Sequence, residues 1–489
     1  MTPNHSLSIP AVARAHPDRC ALIDRGRRVT YGRLALSISR LALWFDRAGL
    51  RPGDTVGIAL RDEFDHLVTS LALLRLGCAQ LTVATAVPVP FSAETARRCG
   101  VSVTVAAPDA GGVLDVATIL PDFEKIYASP PAAETALPDP DLEAPALVSP
   151  SSGTTGRPKI VRLSQRQLLS GCWTKDMGNE PQVVFRPVSI EFDAAKRQHL
   201  NAAIRGMTTV LCDPAGQRRP DIVCRDHRVR RLFLSPAQAR SMVDVARESG
   251  EGGRLPGTQI HVGGAPVGGQ LRRDMLRHQS DRVWITYGTT ECGTISGGLC
   301  PVGETDTRKS DWDSDVGRLL PGVELEVVDE MDRPVPASAT GRLRIRTAGM
   351  VSEYHDDPEA TARAFRDGWF YSGDAGRIAP DGRLCFAGRA DDMMCLSGVN
   401  IFPREIEQVI EAFVGVIECA AFPMRSSVHG DIPVAAVRTE AGVDLGELQR
   451  HCRSVLGIRA PRKLVRVDHL PRNGAGKMVR GDLAGLVRR

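Results

Sequence analysis

DTVGIALRDEFDHLVTSLALLRLGCAQLTVAT, residues 54–85, decides the fold class. Asp54 to Leu60 is a short apolar run of strand type. Phe64 to Leu76 carries apolar residues at helical spacing, and Gln80 to Thr85 returns to strand type. A strand, a helix and a second strand in close succession form a βαβ unit, whose strands pair in parallel. Upstream, Arg28 to Tyr31 predicts an extended segment and Tyr31 to Ala48 a helix. Downstream, Ala128 to Pro145 is rich in Pro, Ala and acids and predicts a loop. Val323 to Val328 and Gly341 to Arg346 alternate like half-buried antiparallel strands.

The pattern breaks between Gly388 and Gly398, and a new unit follows. Pro403 to Phe413 predicts an amphipathic helix, Ile417 to Pro423 and Pro433 to Val437 strands, and Leu445 to Leu456 a helix. The expected architecture is α/β. A large N-terminal domain, residues 1–390, consists of layered α/β sub-domains with mostly parallel sheets. A small α+β C-terminal domain occupies residues 391–489.

The chain of 489 residues is 42% apolar and 25% charged, the balance of a globular protein of several compact units. A net charge of +4 with acids and bases intermixed gives no stripe for nucleic acid. The twelve cysteines form no CxxC pair, so neither a zinc site nor a disulfide framework is expected. Scattered thiols suit a reducing cytoplasm, the expected location. The opening residues lack a basic segment followed by an apolar run, so no signal peptide is expected. Leu67 to Pro90, the most apolar stretch, is interrupted by Arg75 and Gln80 and predicts no membrane span.

The strongest chemical feature is Ser151-Ser152-Gly153-Thr154-Thr155-Gly156-Arg157-Pro158-Lys159, directly after the apolar run Ala146-Leu147-Val148. Glycines allow close backbone approach, and successive N–H groups and hydroxyls form a cradle for an anion. The plainer alternative is a polar surface turn. The Walker pattern G-x-x-x-x-G-K-[ST] is absent, as are G-x-G-x-x-G and G-x-S-x-G, so P-loop, dinucleotide-binding and serine-hydrolase readings have no support.

At these residues the chain resembles the adenylate-forming superfamily of acyl- and aryl-CoA synthetases, peptide-synthetase adenylation domains and luciferases. The resemblance runs nearly end to end. Thr30-Tyr31 and Arg51-Pro52-Gly53-Asp54 are similar to the family's opening, and Ser152 to Gly156 with Pro158-Lys159 to its phosphate loop. Gly263-Gly264-Ala265-Pro266 is similar to its strand-end turn and Tyr287-Gly288-Thr289-Thr290-Glu291 to its adenine and magnesium motif. Ser372-Gly373-Asp374 is similar to its ribose motif. Gly388-Arg389-Ala390-Asp391-Asp392 resembles the hinge, Ser397-Gly398 with Pro403 to Glu407 the turn and helix that follow it, and Leu470-Pro471-Arg472 with Gly476-Lys477 the C-terminal lysine loop.

The resemblance implies an AMP-forming ligase that uses ATP and Mg²⁺ to adenylate a small carboxylic acid. The acyl group then passes to a thiol, of CoA or of a carrier protein's phosphopantetheine arm. It implies that Ser151 to Gly156 and Lys159 hold phosphates, and that Gly264, Ala265, Tyr287, Gly288 and Thr289 meet adenine or phosphate. Glu291 would hold Mg²⁺, Thr290 a phosphate oxygen, Asp374 the ribose hydroxyls and Arg389 the ribose or phosphate. Lys477 would stabilise charge during adenylation. The small domain would be mobile about Asp391, bringing Ser397 and Gly398 to the site for the thiol step. Asp193, Ala194, Arg197, Gly263, Trp284 and Thr286 would line the acid pocket.

These residue types suit the chemistry. A carboxylate is ionised at neutral pH and needs no general base to attack phosphorus. It needs charge neutralisation and alignment. Departures from the family are Ile160 after the loop lysine and Ser164-Gln165 where many relatives have Ser-His; both are expected to alter the acyl tunnel. Phe192-Asp193-Ala194 is closer to amino-acid-activating relatives, whereas SGVNIFPREIE and LPRNGAGKMVR are closer to CoA ligases, so acceptor and acid stay open. Asp193 and Arg197 share a helical face and either pair with each other or meet polar groups of the acid. A stand-alone enzyme serving a separate carrier or forming an amide is one alternative; a non-catalytic nucleotide-binding protein is another.

Overall fold

The computed structural model describes residues 9–83, 89–107, 114–130, 140–151, 158–170, 182–249, 253–300, 314–397, 399–426, 430–472 and 478–486. The chain divides into two compact units. The first comprises Met1–Phe233, Thr290–Gly293 and Thr347–Gly368, and the second Leu234–Thr289, Thr294–Arg346 and Trp369–Arg489.

The βαβ reading is borne out in the first unit. Strand Thr55–Ala59, helix Glu63–Leu76 and strand Ala79–Thr82 follow in order, and the two strands pair in parallel. The helix starts where Asp62 accepts hydrogen bonds from the amides of Phe64 and Asp65, both at 3.0 Å. It ends at Gly77, whose φ of +81° is the left-handed conformation of a helix C-terminus. The six-stranded sheet runs Ala117–Ile119, Val103–Ala106, Thr55–Ala59, Ala79–Thr82, Pro145–Ser151, Lys159–Ser164. Every pair is parallel except the last. Leu81, Val101, Val148 and Ile160 pack together on one of its faces.

A second run of parallel pairs in this unit joins Cys20–Asp24, Thr208–Val210, Val183–Phe185 and Arg231–Leu234. Tyr31 opens helix Tyr31–Arg47 and is fully buried. Its hydroxyl donates to the carbonyls of Ala203 (2.9 Å) and Met207 (2.8 Å), fastening that helix to the end of helix Asp193–Ile204. The expected loop between Ala128 and Pro145 starts at the end of helix Phe123–Ala128; residues 131–139 lie outside the described residues.

In the second unit, Gln259–Val262 and Val283–Thr289 pair in parallel. Asp315–Leu319, Arg383–Arg389, Trp369–Ile378 and Gly341–Thr347 continue as antiparallel neighbours. The strands Val323–Val328 and Gly341–Thr347 lie where the alternation predicts them. From residue 394 onward a separate five-stranded sheet forms around the hairpin Val416–Ser426 and Gly430–Thr439. Its alternation feeds two cores. Cys419, Ala421, Ala435 and Val437 face helices Pro403–Glu411 and Leu445–Leu456, while Ala420, Phe422, Val434 and Ala436 face Leu470 and Leu483. No helix among the described residues is long and apolar enough to cross a membrane.

Buried charges knit this sheet to its first helix. Glu407 accepts from the Ala421 amide (3.0 Å) and from Arg480 (2.6 Å), and Arg404 forks onto both oxygens of Glu411 at 2.8 and 2.9 Å. Burial pushes the Glu407 carboxyl up, but Arg480 and Arg404 pull it further down, leaving it below the usual range. A depressed carboxyl stabilises the fold above its unfolded pKa, and that contribution is lost as pH falls through the folded value. Arg480→Met removes the nearer of the two guanidinium groups at the buried Glu407, leaving Arg404 at 3.7 Å, and should cost about 2 kcal/mol of C-terminal stability at neutral pH. Urea unfolding followed by a probe within residues 394–486 measures it. A loss under about 0.5 kcal/mol would show the pair to be dispensable.

Candidate functional site

In the first unit the expected phosphate loop falls in sequence between two antiparallel strands. Strands Pro145–Ser151 and Lys159–Ser164 set Ser151 opposite Lys159. Ser152, Gly153, Thr154, Thr155 and Gly156 lie outside the described residues, as do Gly398, Lys477 and the Ser151 side chain. The loop's downstream stem is held by Arg98, which donates to the Pro158 carbonyl at 2.9 Å. Lys159 places its ammonium 4.7 Å from the centre of the Tyr354 ring. The Tyr354 hydroxyl donates to Glu291 Oε1 at 2.8 Å, and the Val351 amide donates to the Glu291 carbonyl at 3.0 Å. The expected loop lysine and the expected magnesium carboxylate thus flank one buried tyrosine.

Sequence reading missed Tyr354. It lies 63 residues beyond Glu291, and an isolated tyrosine in Ser-Glu-Tyr-His gives no spacing signal. The donor set here suits Mg²⁺. Among the described residues no group of three or more His, Cys, Asp or Glu could cage a metal. One carboxylate shared with phosphate oxygens and water is the arrangement Mg²⁺ prefers.

Helix Asp193–Ile204 carries the expected acid-pocket residues. Asp193 is partly exposed and Ala194 exposed. Desolvation raises the Asp193 pKa, opposed by the Ser149 hydroxyl, Lys196 and Arg197. Arg197 does not bond to Asp193. It turns to the Thr290 carbonyl, with Nη1 at 3.3 Å. The two departures from the family have structural tasks. Ile160 is fully buried beside Cys99 and Val101 in the sheet core. Gln165 donates to the Leu74 carbonyl at 2.7 Å near the end of helix Glu63–Leu76.

In the second unit, strand Val283–Thr289 presents different residues on its two faces. Trp284 pairs in register with His261, their rings 5.9 Å apart, and a Cβ on Gly297 would collide with the Trp284 indole. A Cβ on Gly263 would collide with the Thr286 hydroxyl, so glycine is required there. His261 shares the face of Gly263, Trp284 and Thr286, and sequence reading missed it as well. Gly264 has φ +87° with open space around it, and Ala265 is half-buried.

On the other face, the Tyr287 ring lies 5.7 Å from Phe386, and its hydroxyl donates to Asp374 Oδ2 at 2.6 Å. Asp374 Oδ1 accepts from Arg389 Nη1 at 3.1 Å, and the same nitrogen donates to the Ser372 carbonyl at 2.7 Å. Arg389 Nη2 donates to Asp391 at 3.2 Å. Gly373, at φ +73°, lets this guanidinium lie against the backbone. Burial raises the Asp374 pKa, while Arg389, Tyr287 and Ser372 pull it down. The structure therefore brings together Tyr287, Asp374, Arg389 and Asp391. Gly288 and Thr289 end the same strand. Ser397, exposed at φ +48°, turns the hairpin between Met394–Leu396 and Val399–Ile401.

A largely parallel α/β architecture with a separate C-terminal sheet, and the run from Tyr287 to the buried Glu291, agree with an AMP-binding enzyme. The chain belongs to that family: residues 9–355 match the AMP-binding enzyme family and residues 405–477 its C-terminal domain. It is 26% identical over 486 residues to 2-succinylbenzoate–CoA ligase of Geobacillus kaustophilus, covering 96% of each chain. It is 27% identical over 488 residues to feruloyl-CoA synthase of an Amycolatopsis species, again covering 96% of each. The amide bond synthetase of Marinactinospora thermotolerans shares the fold with a TM-score of 0.85 at 23% identity, over 97% of this chain and 98% of that one. The o-succinylbenzoate CoA synthetase of Bacillus subtilis, solved with ATP and a magnesium ion, superposes with a TM-score of 0.80 at 22% identity over 97% and 98% of the two chains.

Tyr354→Phe keeps the ring under Lys159 and removes the hydrogen bond to Glu291. A freed, buried carboxylate should hold the metal-bound nucleotide less well, raising the ATP requirement about tenfold, the range for a hydrogen bond to a charged group. Titration of Mg-ATP binding to the variant and the wild type checks it; equal affinities would remove Tyr354 from the site.

Proposed function

We propose that this enzyme activates a small polar or aromatic carboxylic acid as its acyl-adenylate and transfers the acyl group to the thiol of coenzyme A. The observation that carries the reading is the run from Trp284 to Glu291. One strand places Trp284 and Thr286 on one face and Tyr287, bonded to Asp374, on the other, and Glu291 follows it in sequence. The family membership and the CoA ligases among the relatives support the same reading.

In the first step a carboxylate oxygen of the acid forms a bond to the α-phosphorus of ATP, and the bond to the β-phosphate oxygen breaks, releasing pyrophosphate. The loop from Ser151 to Gly156 and Lys159 would grip the phosphates, with Arg98 holding its stem. Glu291, with Thr290 beside it, would hold Mg²⁺, which when bound neutralises phosphate charge. Asp374 would accept the ribose hydroxyls, each oxygen having a lone pair to spare beyond Tyr287 and Arg389. Lys477 would stabilise the charge that builds as two anions meet. In the second step the coenzyme A sulfur, its proton lost to solvent, would bond to the acyl carbon as the bond from that carbon to the phosphate oxygen breaks and AMP leaves, with Ser397 and Gly398 turned to the site about Asp391, the junction of a 1–390 core and a 391–489 lid.

Trp284 and His261 shorten the acid side and disfavour long chains. Asp193 does not pair with Arg197, which bonds the Thr290 carbonyl, so the carboxylate would meet a polar group of the acid and Arg197 its remaining donors. Burying them against an alkyl chain would be costly.

ATP–pyrophosphate exchange across aryl, amino and fatty acids tests the first step. A clear preference for palmitate-length acids would refute the substrate class. Addition of CoA tests the second: adenylate without acyl-CoA would redirect the transfer to a separate carrier's pantetheine arm or to an amine. Lys477→Ala should lower exchange roughly 10²-fold while still consuming presynthesised acyl-adenylate. Exchange at the wild-type rate would exclude that role. Asp391→Pro, which fixes φ and removes an N–H, should form adenylate and fail to deliver product. Full turnover in that variant would move the hinge elsewhere.

A further inference from the structure

Lys196 is fully buried, which is rare for lysine without a charged partner. Among the described residues its hydrogen-bond partner is Thr82, whose hydroxyl accepts from Nζ at 2.8 Å. Thr82 closes strand Ala79–Thr82. The next strand, Pro145–Ser151, pairs with it in the register Gln80 to Leu147 and Leu81 to Val148. That register carries Thr82 beside Ser149, with both hydroxyls on one face at the carboxyl ends of parallel strands.

Helix Asp193–Ile204 sets its first turn over this pair of hydroxyls. Lys196 meets Thr82. Asp193, one turn earlier, meets Ser149, whose hydroxyl is close enough to favour the ionised carboxyl but lies outside hydrogen-bond geometry. The charged and titratable groups around Lys196 are few: Asp193, Arg197 and His199 on its own helix, and His66 from helix Glu63–Leu76. Both histidines are held neutral by burial. Desolvation brings the Lys196 ammonium down to about 7, and Asp193 is the group that opposes this. Asp193 in turn is raised by desolvation and lowered by Ser149, then Lys196, then Arg197. Arg197 is already engaged at the Thr290 carbonyl.

A buried ammonium is costly and gives little stability in return. A methionine of similar length would pack the same space at less cost. What the ammonium adds is a directed bond to a strand end and a positive charge beneath Asp193. We propose that Lys196 is a positioning residue for Asp193: it pins the first turn of the acid-site helix to Thr82 and keeps the Asp193 carboxylate charged and fixed for the incoming acid. The inference rests on the reading of Asp193 as a wall of the acid site.

The test compares wild type, Lys196→Met, Asp193→Ala and the double variant by ATP–pyrophosphate exchange with the preferred acid. Lys196→Met should raise the KM for the acid about tenfold and leave the KM for ATP within about twofold. In the Asp193→Ala background the same change should add nothing, because the two residues act as one. Equal increases for acid and ATP, or effects that simply add, would overturn the proposal, since a packing role predicts both. A second readout needs no turnover. The Asp193 carboxyl, assigned by its loss in Asp193→Asn, is titrated by carbon NMR in wild type and Lys196→Met. Its pKa should rise by about one unit without the ammonium; an unchanged value rejects the inference even if the enzyme adenylates none of the acids tried. An inert wild type with the expected shift would instead reject the proposed function and leave the pairing of Lys196 with Asp193 intact. Should Lys196→Met not fold, Thr82→Val removes the anchor alone and is expected to raise the acid KM in the same direction.

Discussion

Two anions must meet in an acid-activating enzyme, so the reaction needs charge neutralisation and alignment more than a general base. Val283–Thr289 expresses that constraint in the second unit. Its alternation sends Trp284 and Thr286 to one side and Tyr287 to the other, so one strand carries the two faces that the proposed function gives to acid and nucleotide. The register with Gln259–Val262 then brings His261 to Trp284 and Gly263 to Thr286. Because a Cβ at Gly263 would strike the Thr286 hydroxyl, the turn after Val262 follows from the strand beside it.

Similar reasoning separates what the sequence displays from what it conceals. Residues tied to backbone geometry were legible. Gly373 must be glycine because it has a positive φ and Arg389 lies against it, and Gly77 ends its helix in the left-handed conformation. The strands and helices around residues 54–85 followed from apolar period alone. Tyr354, His261 and Lys196 were not legible, since each acts through a partner far along the chain: Glu291, Trp284 and Thr82. No local pattern marks a lysine that is buried rather than solvated. Ile160 shows the converse. It breaks the family pattern beside the expected phosphate loop, and its side chain is part of the sheet core.

The distribution of ion pairs in the second unit bears on where the chain can bend. Arg404 and Glu407 are buried, and the partly exposed Arg480 bonds Glu407 and reaches Asp392 at 3.3 Å. Asp374 and Arg389 are likewise bonded in a largely buried cluster. Between them stands Asp391, exposed and in contact with Arg389 through one 3.2 Å bond. A solvent-exposed pair of this kind is worth at most about 1 kcal/mol, whereas breaking a buried one costs several times that. Strain applied across residues 389–392 would therefore be released first at Asp391. The weak point falls at the residue proposed as the hinge, and Arg389, shared by Asp374 and Asp391, links the buried Asp374 directly to it. A group that drew Arg389 away from Asp374 would also disturb the bond to Asp391, because one guanidinium serves both the buried carboxylate and the proposed hinge.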